Sequence, residues 1–445
     1  MRTHTWSKGR YRPHIAALIM AVCVLWTPGH AQAPADICGC AASPSLGAFN
    51  TLDPATYPAG SQSSHRNLVI PIPDSGIFVF DSVNIAPRPS DNCLIGISFV
   101  RNAANTPVTI LVKGDLTMTS TTCSPTYIWV GGNGTPATAT AQAAGVGSLG
   151  GPGGFRGGDG AYQTINGASN GGAGFGPGGG LGATATPFIQ AARGLFLGSP
   201  DLLPLVGGSG GGGGASSSPS AGCGGGGGGG GGGAILIAAN GTIRLDGNSH
   251  IYADGSGRGD PENFGCGTRG GGGAGGAIRL VANSITGTGF LGARGGRGDS
   301  AGDHIFAPTG RIRMESLTNT FAGTTDPIAA RATSPGPLVS PLNPRVRITS
   351  INGAPVTDPP AGVYGTAFDV VIPAPTLVPV NFSTSGVPTN TTVEVTVKPR
   401  LGPPPQMSTV TLTNCDPAGN CLGTTSFNLP AGTYIVEARA TFQVQ

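Results

Sequence analysis

Charge is scarce in this 445-residue chain: Asp, Glu, Lys and Arg together make up 10% of it. A disordered, solvating chain would carry more charge and less Val and Ile, so that class is excluded. No segment shows a sustained helical period with caps, which argues against helical folds. Past the N-terminus no apolar run is long enough to cross a bilayer as a helix. Glycine is abundant, at 80 of 445 residues, about two and a half times the usual share. It comes in blocks, without the every-third-position rule that a collagen needs.

Residues 1–31 have the form of a secretion signal. Arg2, Lys8, Arg10 and Arg12 supply the charged region, and Ile15 to Trp26 the apolar one. Gly29 and Ala31 suit cleavage after Ala31. The four basic residues of the signal come out of a total of 24, leaving 20 basic against 21 acidic residues, a net charge of −1. The whole-chain pI of 8.4 therefore reflects the signal in part. The remaining lysines are Lys113 and Lys398. No basic stripe is left for nucleic acid. The expected location is secreted or on the outer cell surface, with the periplasm as the alternative, and no transmembrane segment is expected after signal removal.

Cys23 leaves with the signal, and eight cysteines stay: Cys38, Cys40, Cys93, Cys123, Cys223, Cys266, Cys415 and Cys421. An even number in an exported chain favours disulfides. The tight pair Cys38-Gly39-Cys40 has no second pair or nearby histidine to complete a zinc site.

After an irregular segment, residues 32–66, strand-like runs begin at Asn67. They are short, rich in β-branched and aromatic residues, and separated by turn formers. The centre of the chain is a repeat. The phrase Gly233-Ala234-Ile235-Leu236-Ile237-Ala238-Ala239-Asn240 returns 43 positions later as Gly276-Ala277-Ile278-Arg279-Leu280-Val281-Ala282-Asn283. Cys223 and Cys266 share that offset. If one repeat is one coil, equivalent residues lie about 4.8 Å apart, within disulfide range. A two-coil repeat would forbid the Cys223–Cys266 bridge. An earlier run, Val108, Ile110 and Val112 before Gly114, then Leu116 and Met118, matches Ile235, Ile237 and Ala239 before Gly241, then Ile243 and Leu245. A further rung follows at Arg311-Ile312-Arg313-Met314. These runs predict an all-β fold: a parallel β-helix-like solenoid with glycine-rich arms over 67–333, followed by a C-terminal β-sandwich.

The glycine-rich insertion, 131–233, culminates in ten consecutive glycines, Gly224 to Gly233. Two readings stand. Glycine tracts serve as flexible linkers. They also form extended arms that approach closely for want of side chains, ten residues reaching roughly 31 Å. Residues 334–344 hold four prolines and read as a linker. Residues 345–445 read as an Ig-like β-sandwich with strands at Arg345–Ile351, Phe368–Ile372, Thr392–Val397, Val410–Thr413, Ser426–Leu429 and Tyr434–Phe442. Cys415 and Cys421 flank a hairpin loop that they would close.

The phrases Asn102 to Leu111, Gly275 to Ala282 and Gly151-Pro152-Gly153-Gly154-Phe155 resemble glycine-rich exported bacterial surface proteins of unassigned role, usually taken as parallel β-helices. The resemblance implies an exported fold and supplies no catalytic residues.

Some β-helix enzymes cleave polysaccharides with paired carboxylates or with calcium. The candidates here are Asp246, Asp254, Asp260, Glu262, Asp299 and Asp303, beside Arg258 and Arg297. Solvated loop acids explain them as well. His65, His250 and His304 have no adjacent nucleophile motif. The glycine runs lead into strands and lack Lys-Ser/Thr, so they are not phosphate loops. Arg258-Gly259-Asp260 and Arg297-Gly298-Asp299 spell an adhesive tripeptide that glycine arms also produce by chance. The expectation is a structural or adhesive surface protein without catalysis, contacting glycan, extracellular matrix or its own copies. The alternative is a carbohydrate-active or glycan-binding β-helix. No cofactor is expected beyond weak calcium binding at the acids.

Overall fold

The computed structural model describes residues 36–442, except 65, 88–94, 121–124, 133–137, 141–142, 163–168, 218–222, 298–305, 340–343, 359–369, 375, 402, 414 and 418–419. The signal, Cys93, Cys123, Asp299, Asp303 and His304 lie outside the described residues. The chain is nearly all β, with parallel sheets and no closed barrel among those residues.

Two parallel sheets share one core. The first holds Ile77–Phe80, Ser82–Ile85, Val108–Val112, Leu116–Met118, Ala234–Leu245, Ala277–Gly287 and Arg311–Phe321. The second runs through Asn67–Pro71, Ile95–Val100, Thr126–Trp129, Ser249–Tyr252, Phe290–Gly292 and Thr324–Asp326. The strand alternation decides which side chains meet. Ile235, Ile237, Ile278 and Leu280 of the first sheet join Leu68, Ile97, Ile128, Ile251 and Leu291 of the second in one buried cluster.

The repeat pairs in the register its sequence dictates. Ala234 to Ala239 lie beside Ala277 to Ala282, an offset of 43. Past Asn240-Gly241 the register slips by one, so that Thr242 meets Ser284. Val108, Ile110 and Val112 lie beside Ile235, Ile237 and Ala239, and Leu116 and Met118 beside Ile243 and Leu245. All ten are buried. Ala277 then pairs with Arg311, and Leu280 with Met314.

Cys223 and Cys266 are joined, with Cα atoms 5.2 Å apart, close to the spacing of equivalent residues on adjacent strands. Cys38–Cys40 and Cys415–Cys421 are joined as well. Replacing Cys223 and Cys266 by alanine reopens a closed loop of 43 residues. The loop-closure estimate for that length gives a loss of about 4 kcal/mol. Denaturant unfolding of the double variant measures it.

The described part of the glycine insertion forms a hydrogen-bonded bundle. The N–H groups of Gly225, Gly228 and Gly231 donate to the carbonyls of Ala161, Gly158 and Phe155, all at 2.8 Å. Those of Gly226, Gly229 and Gly232 donate to Thr268, Gly271 and Ala274. The carbonyls of Gly226, Gly229 and Gly232 accept from Gly214, Gly211 and Gly208, and those of Gly225, Gly228 and Gly231 from Gly145, Ser148 and Gly151. A third residue class is used too, since Gly259 and Ser256 donate to Gly227 and Gly230. Partners repeat every three residues, as a helix with three residues per turn requires. The ten-glycine arm is thus a rod ringed by neighbouring arms, and its backbone bonds radially to them.

Residues 345–442 form two antiparallel sheets over one core. Val378, Val380 and Phe382 of one meet Val393, Val395 and Val397 of the other. The strand Thr376–Ser385 was masked in the sequence by Pro379. The carbonyl of Pro379 accepts from the turn at Asn352, so the missing N–H falls on a side where the neighbouring strand has ended. Residues 370–372 carry no strand, contrary to the expected run at Phe368–Ile372. Part of the proline-rich stretch 334–344 packs on the first parallel sheet: Gly336 N–H donates to Glu315 and the Pro337 carbonyl accepts from Arg279. The arms touch the C-terminal sheets through charge. Lys398 Nζ pairs with Glu437 at 2.6 Å and donates to Gly174 O, Arg400 pairs with Asp159, and Arg439 donates to Pro177 O.

Candidate functional site: an aromatic platform

Inward residues of the second sheet are aliphatic apart from the hydrogen-bonded pair Thr126 and Ser249, and strand alternation sets its outward residues two apart. Tyr127-Ile128-Trp129 and His250-Ile251-Tyr252 are in register, with Ile128 and Ile251 buried between outward rings. The next strand adds Phe290 beside His250. Three successive strands therefore carry Tyr127, His250 and Phe290 in one row, and Trp129 and Tyr252 in the next.

The rings touch. Centroids lie 5.5 Å apart for Trp129–Tyr252, 5.4 Å for His250–Tyr252 and 5.7 Å for both His250–Phe290 and Tyr252–Phe290. These spacings fit mutually attractive aromatic contacts. Glycines on the same face leave room for several rings. A Cβ on Gly96 would collide with the Tyr127 ring, and one on Gly131 with Trp129 at 2.7 Å. One on Gly292 would meet Phe290 at 2.8 Å and Tyr252 at 3.1 Å. The neighbouring rings are tilted to one another by 50–55°, except for the stacked His250–Tyr252 pair.

Polar groups fix the rings from their edges. Tyr252 Oη–H donates to His250 Nδ1 at 3.0 Å, and His250 Nε2–H donates to Asn248 Oδ1. A neutral imidazole with its proton on Nε2 fits both contacts. Burial, with the Arg294 charge adding to it, lowers the His250 pKa below its ordinary value, so the neutral form prevails at neutral pH. Burial also raises the Tyr252 hydroxyl. Tyr127 Oη donates to Asn67 Oδ1. Arg294 lies 5.5 Å from the Phe290 centroid and 5.7 Å from that of Tyr252. It pairs with Asp254 at 2.6 Å, and its backbone N–H takes the other carboxylate oxygen.

The chain matches no family model, no curated protein and no solved structure. The platform is therefore interpreted from its own geometry.

Three of the acids singled out in the sequence, Asp246, Asp254 and Asp260, pair with separate arginines. Asp254 holds Arg294 at the platform edge. Asp246 pairs with Arg244, and Asp260 with Arg258 and Arg269 at 3.4 and 3.1 Å. Glu262 is exposed. Among the described residues, the one converging group of potential metal donors is Asp36 with Cys38 and Cys40. The two sulfurs there are joined to each other. In the first Arg-Gly-Asp copy the Arg258 side chain is 7% exposed, so it is turned inward. The second copy runs into undescribed residues. In sequence, Tyr127 and Trp129 read as strand formers. The signal for the platform was the repeated pattern of aromatic, isoleucine, aromatic, which becomes legible once the rung register is known.

Proposed function

We propose that the protein is an exported surface protein, structural and adhesive in role and without catalysis, which grips a neutral glycan on the aromatic platform. The parallel sheets are the coils of a flattened β-helix, and the C-terminal sheets form a β-sandwich beyond them. One observation carries the reading: contiguous aromatic rings on one outward sheet face, with Tyr127, Trp129 and Phe290 packed against glycine positions. Contiguous aromatic rings suit the apolar faces of pyranose rings, and the hydroxyls at their edges suit sugar hydroxyls. The absence of catalysis is supported by Asp254, the acid at the platform, whose oxygens are engaged by Arg294. Secretion is supported by the signal-like N-terminus and by the joined cysteines.

A panel of insoluble neutral polysaccharides, scored for both retention and release of reducing ends, tests this reading. Retention without release is expected. Release of reducing ends, or retention on none of the panel, contradicts it.

A further inference from the structure

The C-terminal part holds a second site, away from the platform residues. An open cleft of about 640 Å³ is lined by the strands Arg345–Ile351, Thr376–Ser385 and Cys421–Leu429, a size that suits a small ligand. Register places Arg345 opposite Ser385 and Arg347 opposite Ser383, with Leu422 beyond Ser383. Alternate residues share a face, so guanidinium groups, hydroxyls and one aliphatic side chain form adjoining rows.

The charge is unbalanced. Asp358 lies 3.3 Å from Arg345 and 3.4 Å from Arg347, one carboxylate between two guanidiniums. Each guanidinium has five N–H donors in a fork matched to an oxyanion. The Arg345 side chain is 65% exposed, so most of its donors face water. Leu422 is 80% exposed and gives the cleft an apolar wall. Asn420 stands at the rim, anchored to Asp416 at 2.7 Å, and the Cys415–Cys421 bridge closes the loop around it. The cleft thus has preformed walls.

We propose that this cleft binds an acidic sugar. The arginines take its carboxylate, Ser383, Ser385 and Asn420 meet its hydroxyls, and Leu422 covers an apolar ring face. A sulfate ester or free phosphate offers the same oxyanion to the arginines but not the carboxylated ring that fits this combination.

Calorimetric titration of the full chain carrying Tyr252→Ala, in which platform binding is weakened, with a uronic-acid trisaccharide, its neutral counterpart and inorganic phosphate tests this directly. The acidic trisaccharide should bind at least tenfold more tightly than either. Raising salt from 0.05 to 0.5 M should weaken it several-fold, because the cleft is open to screening. The Arg345→Gln/Arg347→Gln double variant should lose tenfold or more, while Tyr252→Ala leaves the acidic sugar unaffected and so separates this site from the platform. If the double variant does not fold, Ser385→Phe, which fills the cleft and keeps both arginines, should abolish the same binding. Equal binding of the neutral sugar, phosphate matching the acidic sugar, or a folded double variant with unchanged affinity overturns the proposal.

Discussion

Replacing Gly231 by alanine is expected to unfold the glycine bundle or to lower stability by about 3 kcal/mol or more, at the upper end of overpacking costs. A Cβ at Gly231 would overlap the carbonyl of Gly208, a backbone atom that no rotamer change can move away. The two arms are also tied to shared neighbours, since Gly231 donates to Phe155 and Gly208 to Gly232. Moving one arm breaks the radial bonds of the others. Gly257→Ala is the control: the nearest atoms to a Cβ there lie at 3.8 Å, ordinary contact distance. It should leave the unfolding midpoint unchanged, or raise it slightly by restricting the unfolded chain. Thermal and denaturant unfolding of the two variants separates a bundle that requires glycine from a segment that merely contains it.

The second large effect lies on the outer face of the first parallel sheet. The Glu315 and Arg279 side chains are 1% and 2% exposed. Arg279 meets Glu315 through Nε at 2.9 Å and Nη2 at 3.1 Å. Arg313 Nε and the Gly336 N–H donate to the same carboxylate, both at 2.7 Å. Glu315→Ala leaves Arg279 buried without a counter-charge, a loss of about 3–5 kcal/mol. Replacing both, as Arg279→Met/Glu315→Leu, should cost far less than the single change, because no charge is then stranded. Unfolding titrations of the three variants give both numbers.

The same carboxylate gives a pH dependence with a definite sign. Burial alone would raise the Glu315 pKa. Hydrogen bonds from Arg279 and Arg313, the Arg279 charge and the Gly336 N–H outweigh it and hold the group below its ordinary value. The unfolded chain therefore binds the proton more readily than the folded one. The stabilisation from Glu315 is fully present above the unfolded pKa, and it is lost as pH falls through the depressed folded value. In Glu315→Ala that part of the acid sensitivity should be missing.

Much of the architecture was legible in the sequence. Alternation placed Ile235, Ile237, Ile278 and Leu280 in a shared core, and the 43-residue offset joined Cys223 to Cys266, because parallel pairing brings equivalent residues side by side. The glycine run was ambiguous for a physical reason. Without side chains, order depends on whether other arms arrive at hydrogen-bonding distance, and those arms lie scattered from Gly145 to Ala274. Pro379 concealed a central strand, but its missing N–H falls on the side where the strand Arg345–Ile351 has ended, and its carbonyl accepts from Asn352. The acids drew attention because chemistry often needs them, yet the described ones at 246, 254 and 260 are each matched to arginine. The platform needs residues from three strands to lie in register, and no local phrase shows that.

The most direct test of the glycan-binding role is calorimetry of the intact chain against a soluble neutral oligosaccharide, compared with Trp129→Ala and Tyr252→Ala. Both residues lie on the outward face, so near-native circular dichroism is expected. Loss of a central aromatic contact should weaken binding about 30-fold, the effect of a hot-spot ring worth about 2 kcal/mol. Unchanged affinity in both folded variants would contradict a glycan site on this platform.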